Sequence, residues 1–181
     1  MIPHMIRSAN NIGKAVRYSF CSRQLTPEAL KYDSLAKAKL LEDAVYERVN
    51  ISAGNYKFEY FHTFGSNDLV NEQTGHLVTS RTQSSTIHVQ THRHVGISLY
   101  ETLQDVQSGK WIKFTQNGNQ LVSESEATWL QILGVGSHYV LQYFNPADPT
   151  SSFQVGVNNG AIGTELKLEA SKTELFKLIP S

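Results

Sequence analysis

From Tyr56 onward, apolar and polar positions alternate in short runs, each closed by glycine, asparagine or a group of small polar residues. A period of two is the mark of a strand buried on one face. Three leucine-headed segments recur within this pattern: Leu77-Val78-Thr79, Leu121-Val122-Ser123 and Leu166-Lys167-Leu168 begin 44 and 45 residues apart. Nine or ten residues after each comes a second apolar strand, at Ile87-His88-Val89, Leu130-Gln131-Ile132 and Phe176-Lys177-Leu178. Self-similarity at this spacing predicts one supersecondary unit used three times.

Each copy reads as four strands. In the second, Val95-Gly96-Ile97-Ser98-Leu99 and Lys110 to Phe114 predict the first two, and the third and fourth begin at Leu121 and Trp129. Between the middle strands lies Gln116-Asn117-Gly118-Asn119, where an Asn-Gly pair suits the positive backbone angles of a tight hairpin. The third copy runs through Tyr139 to Tyr143, Phe153 to Val157, a turn at Asn158-Asn159-Gly160, Leu166 to Leu168 and Leu175 to Leu178. In the first, strands are expected at Tyr56 to Phe61, Asn67 to Asn71, Leu77 and Ile87, with a turn at Thr74-Gly75.

Twelve strands in three sequential units, each with a glycine in its middle hairpin, resemble the β-trefoil superfamily at the level of architecture. The resemblance spans about residues 50 to 181. It implies an all-β fold with pseudo-threefold symmetry, in which six strands close a short barrel and three hairpins cap one end. A β-sandwich also offers many short strands, but has no reason to repeat every 44 residues.

The amino-terminal part follows different rules. Thr26-Pro27-Glu28 provides a capping hydroxyl, a proline at the first helical position and an acid at the positive end of the helix dipole. Leu35, Ala38, Leu41 and Val45 then recur at helical spacing, predicting an α-helical extension over 26–49 that packs on the barrel or on a partner. Residues 1–25 form a basic amphipathic arm with apolar Ile12, Val16 and Phe20 one turn apart, similar in character to a mitochondrial presequence. Membrane contact is expected only through this arm. The three expected units are therefore 1–25, 26–49 and 50–181.

Charge narrows the choice of partner. The formal net charge is zero, yet residues 1–27 carry Arg7, Lys14, Arg17 and Arg23 and no acid, whereas residues 50–181 carry eight basic and eleven acidic side chains, a balance of minus three. Nucleic acid attracts clustered Lys and Arg, so it is not an expected partner for the β part. Cys21 is the sole cysteine, which excludes an intrachain disulfide and fits an intracellular protein, cytoplasmic or mitochondrial, or a bacterial toxin-like one, better than a small secreted disulfide scaffold.

Candidate chemistry is sparse. His92 and His94 are two apart, so on an extended segment both side chains would project to one face, with His88 nearby but separated by an expected turn at Gln90-Thr91. Without a third ligand in the stretch they read as a solvated or pH-responsive patch, and no metal or other cofactor is expected. No Gly-x-Ser-x-Gly elbow, phosphate-binding Gly-rich loop or Asp-rich calcium loop occurs, and Gly134-Val135-Gly136 reads as a flexible link between copies. An enzyme is not indicated. The most distinctive loop is Phe144-Asn145-Pro146-Ala147-Asp148-Pro149. Two prolines restrict its backbone and reduce the entropy lost on binding, while Tyr143 and Phe144 offer ring surface beside polar Asn145 and Asp148.

The resemblance implies recognition through loops, as in sugar-binding lectins, protease inhibitors, cytokine-like ligands, actin-binding modules and receptor-binding parts of toxins. Trp129-Leu130-Gln131 reverses the Gln-x-Trp of ricin-type lectins, which argues against a galactose site of that kind. Kunitz-type inhibitors normally carry disulfides, which this chain cannot form. The expected function is a non-catalytic module that binds a carbohydrate or protein surface through Tyr143, Phe144, Asn145, Asp148, His92 and His94. The alternatives are an organelle-targeted assembly protein and a toxin component whose arm meets a membrane.

Overall fold

The computed structural model describes residues 47–48, 51–61, 68–96, 98–148, 151–157, 161–170 and 174–181. The described residues are all-β, with one 3-10 turn at Glu124–Glu126. The strands are β1 (Glu47–Arg48), β2 (Gly54–Tyr60), β3 (Asp68–Gln73), β4 (His76–Ser80), β5 (Ile87–Arg93), β6 (Leu99–Asp105) and β7 (Trp111–Thr115). They continue with β8 (Gly118–Val122), β9 (Leu130–Val135), β10 (His138–Tyr143), β11 (Gln154–Val157), β12 (Leu166–Glu169) and β13 (Phe176–Pro180).

Six of them close into a ring. β2 pairs with β5, β5 with β6, β6 with β9, β9 with β10, β10 with β13, and β13 returns to β2, every pair antiparallel. Closure leaves none of the six as an open sheet edge. β3–β4, β7–β8 and β11–β12 form three hairpins, joined to the ring through β2, β6 and β10. One pairing scheme thus occurs three times, in β2–β5, β6–β9 and β10–β13.

Alternation along the strands decides which side chains fill the ring. Ile87 and Val89 of β5, Leu130 and Ile132 of β9, and Phe176 and Leu178 of β13 join one core with Phe58, Leu103, Ile112, Leu141 and Val155. Leu77 and Leu166, two of the leucines that mark the repeat, are buried in the same core, and Leu121 packs half-buried against it. Full burial of such side chains contributes about 1.5–3 kcal/mol each.

Two turns show why their residues are needed. Thr74 and Gly75 connect β3 to β4 with φ of 51° and 88°, the left-handed pair of a type I′ hairpin. Gly136 has φ of 62° as the first of two residues joining β9 to β10, as a type II′ turn requires.

The three hairpins meet at Asn119, whose side chain is buried. Its Oδ1 accepts from Leu77 N–H at 2.7 Å, while its Nδ2 donates to Leu77 C=O at 2.9 Å and to Leu166 C=O at 2.8 Å. One amide therefore ties β8 to both β4 and β12. Backbone bonds reinforce the junction, from Leu121 N–H to Gly75 C=O at 3.3 Å and from Thr79 N–H to Thr164 C=O at 3.0 Å. His76 donates from Nδ1 to Asn119 C=O and lies 3.5 Å from Glu165 Oε1. A Cβ at Gly118 would stand 2.0 Å from Glu165 Oε2, so glycine is what admits that carboxylate here.

Several expectations from sequence change. The first strand of the second copy is Leu99–Asp105, not Val95–Leu99: Val95 is 88% exposed, Gly96 has φ of 85°, and His94 N–H bonds across a turn to Ser98 C=O at 2.8 Å. β5 runs unbroken through Gln90-Thr91, where a turn was expected, because all seven of its residues find partners on β6. The two-residue loop between β7 and β8 is Gln116-Asn117, with Gly118 already paired to Thr115. Gly134 and Val135 belong to β9, so the expected flexible link is a tight hairpin. The turn expected at 158–160, the arm at 1–25 and the helix over 26–49 lie outside the described residues, except that Glu47–Arg48 form a strand paired with Leu133-Gly134.

A buried polar site lies beneath the third hairpin. The Tyr60 hydroxyl donates to Glu174 Oε2 at 2.7 Å. Burial, then the charge and hydrogen bond of Glu174, then Glu169 and Asp68, push the Tyr60 phenol well above the ordinary tyrosine range. The phenol stays protonated in the folded chain while an unfolded one ionises above pH about 10. Its contribution is therefore complete below pH ~10 and lost as the pH rises beyond it, at up to about 1.4 kcal/mol per pH unit. Urea unfolding across this range should show a shallower alkaline decline for Tyr60→Phe than for the native chain; equal slopes would refute the assignment.

Candidate ligand-binding site

His92, His94 and Phe144 come together on the outer face of the ring, joined by Tyr100 and Trp129, neither of which was an expected site residue. His92 of β5 lies directly opposite Tyr100 of β6. Their rings stack at 4.9 Å with planes 13° apart. Trp129, just before β9, stacks on Tyr100 at 4.1 Å and 17°. Phe144, just after β10, is held opposite Trp129 by a backbone bond from its N–H to Trp129 C=O at 2.9 Å. Its ring is near-parallel to Tyr100 at 5.8 Å and to Trp129 at 6.3 Å.

Strand spacing explains the first step of the ladder. Neighbouring strands lie ~4.8 Å apart, close to the separation of stacked rings, so aromatic residues in register on one face of successive strands adopt parallel planes. His92 and Tyr100 are such partners, whereas Trp129 sits diagonal to Tyr100, because Glu101 is the residue opposite Leu130, and Phe144 lies nearer the Tyr100 ring than the Trp129 ring. His92 is fixed further by Nε2, 2.7 Å from Thr102 Oγ1. His94, beyond the end of β5, adds a tilted ring 5.8 Å from Trp129 and an edge contact 6.1 Å from Phe144. The two histidines thus reach the same aromatic group, His92 from within β5 and His94 from beyond its end.

One end of the ladder walls a cleft of about 350 Å³. Trp129, Tyr143, Phe144 and Pro146 supply its ring and apolar surface, and Lys113, Glu126 and Asn145 its polar groups. The loop after β10 is shaped by local bonds: Asp148 N–H donates to Asn145 C=O at 3.0 Å, and Ala147 N–H donates to Asn145 Oδ1 at 3.1 Å. Proline at the second position of this turn fixes its φ. With Oδ1 engaged, Asn145 keeps its Nδ2 donors for a ligand. Asp148 is exposed in the same loop but does not line the cleft, and Pro149 lies outside the described residues.

Of the six candidate residues, Tyr143, Phe144 and Asn145 line the cleft, His92 and His94 buttress its aromatic wall, and Asp148 helps shape the loop. Among the described residues, no group of three or more His, Cys, Asp or Glu is placed to hold a metal ion. No described helix is long and apolar enough to cross a membrane. No protein-family model matches the chain, and no curated protein is significantly similar to it in sequence.

Proposed function

We propose that the chain is a β-trefoil carbohydrate-binding module, without catalytic activity, whose site is the cleft beside Trp129 and Phe144. The repeated scheme of six ring strands and three hairpins supports the trefoil reading. The observation that carries the function is the ring ladder ending at a cleft with hydrogen-bonding groups. Sugar rings offer C–H faces that pack on aromatic surfaces and hydroxyls that need directional partners, so a site for them combines both. A volume of about 350 Å³ is near the low end of small-ligand sites, which run ~300–1,000 Å³. That size favours one or two sugar units over the broad, flat contact of a protein partner.

The intact chain should retain specific glycans on an array, and titration of those glycans should perturb Trp129 fluorescence. Trp129→Ala is expected to weaken binding at least tenfold, the range of aromatic anchors in packed sites. Circular dichroism of the variant checks that the barrel persists. An array without retained glycans, or affinities indifferent to Trp129→Ala, would exclude the proposal.

A further inference from the structure

Resting on the carbohydrate reading, we infer that the sugar this cleft selects is acidic, a pyranose carrying a carboxylate or sulfate that Lys113 recognises. Donors outnumber acceptors in the lining. Lys113 brings an ammonium, Asn145 has an amide NH₂ whose carbonyl oxygen is already used, and Tyr143 brings a hydroxyl. Among the described residues, neither the Lys113 ammonium nor the Tyr143 hydroxyl has a hydrogen-bond or ion-pair partner. A neutral sugar divides its needs between donors and acceptors. An anionic substituent only accepts, and this set of groups matches it.

Position strengthens the argument. Lys113 lies in the middle of β7, paired with Gln120 of β8, and is half-buried. Charges at such sites are screened less than fully exposed ones, so their attraction for an anion is larger. Glu126 is the acid in the lining; it is exposed in the 3-10 turn and its Oε2 already accepts from Ser123 Oγ at 3.3 Å. Solvent weakens its repulsion, and its second oxygen can take a sugar hydroxyl. The cleft is thus polarised, with a cation set in the sheet and an acid toward water.

Calorimetric titration of the intact chain would compare methyl glucuronide with methyl glucoside, and glucose 6-sulfate with glucose. At least one anionic member is expected to bind tenfold or more tightly than its neutral counterpart, and which pair shows the difference identifies carboxylate or sulfate. Lys113→Met keeps most of the side-chain stem and removes the charge. It should cost the anionic ligand at least tenfold more than the neutral one, bringing the two affinities together, and flatten the salt dependence. Equal affinities within both pairs, all lost in Trp129→Ala, would overturn the acidic preference while leaving the carbohydrate site standing. A Lys113→Met loss of equal size for neutral and anionic ligands would also overturn it. Failure of every sugar to bind, here and on the array, would remove both readings.

Discussion

Asn119→Leu is expected to destabilise the fold by about 4 kcal/mol or more, because it strands Leu77 N–H, Leu77 C=O and Leu166 C=O in the core, at ~1–3 kcal/mol for each buried group left unpaired. Both leucines are only 1% exposed, so water cannot replace the lost amide. Against a domain stability of ~5–15 kcal/mol, the change brings the chain near the unfolding threshold. Asn119→Asp provides a milder probe. It keeps an acceptor for Leu77 N–H, yet as a carboxylate it faces two carbonyl oxygens. Burial favours its neutral form, so its deficit should shrink as the pH falls and a protonated carboxyl regains a donor. Denaturant titration of both variants checks this, and a loss below about 1 kcal/mol for Asn119→Leu would mean that the amide is replaceable.

Phe176→Ala is expected to cost about 3–5 kcal/mol through lost burial and the cavity left behind. Phe176 is fully buried, its backbone is partnered by both Tyr60 and Tyr139, and its ring meets Tyr60 at 5.8 Å with planes tilted by 56°. It therefore fills the core where β13 joins both neighbours. Phe176→Leu retains most of the volume and should lose less, about 1.5 kcal/mol. Similar midpoints for the alanine variant and the native chain would show that the ring closes without this side chain.

The sequence pattern conveyed the order and number of strands in the repeats, since Leu77, Ile87, Leu130, Leu166 and Phe176 are buried where alternation put them. It failed at β6. Glu101, Thr102 and Asp105 are all at most 3% exposed, so polar residues occupy buried positions there and the period is masked. The nearby Val95-Gly96-Ile97-Ser98 alternates more cleanly and drew the start of the strand four residues too early. Asn119 gave no sign of its role, because a polar residue after a turn glycine looks the same whether it is solvated or joins three hairpins.

The candidate site was legible in pieces. Phe144 and Asn145 stood out through the prolines around them, and His92 and His94 through their spacing. Tyr100 and Trp129 did not, since their partnership depends on register between β6 and β9, strands separated by a whole hairpin. Lys113 was equally hidden: in sequence it is one lysine of an alternating strand, and only the packing of β7 beside the loop after β10 brings it to the cleft.

Closure between β2 and β13 bears on how the chain must be made. The seam runs from Tyr56 opposite Pro180 to Tyr60 opposite Phe176, so it joins segments more than a hundred residues apart. A nascent chain not yet extended past Phe176 exposes an unpaired rim on both β2 and β10, and such rims template pairing with other copies. Half-synthesised molecules are therefore the adhesive ones. Slowing translation ahead of the final strand should raise insoluble yield even though the finished protein is unaltered.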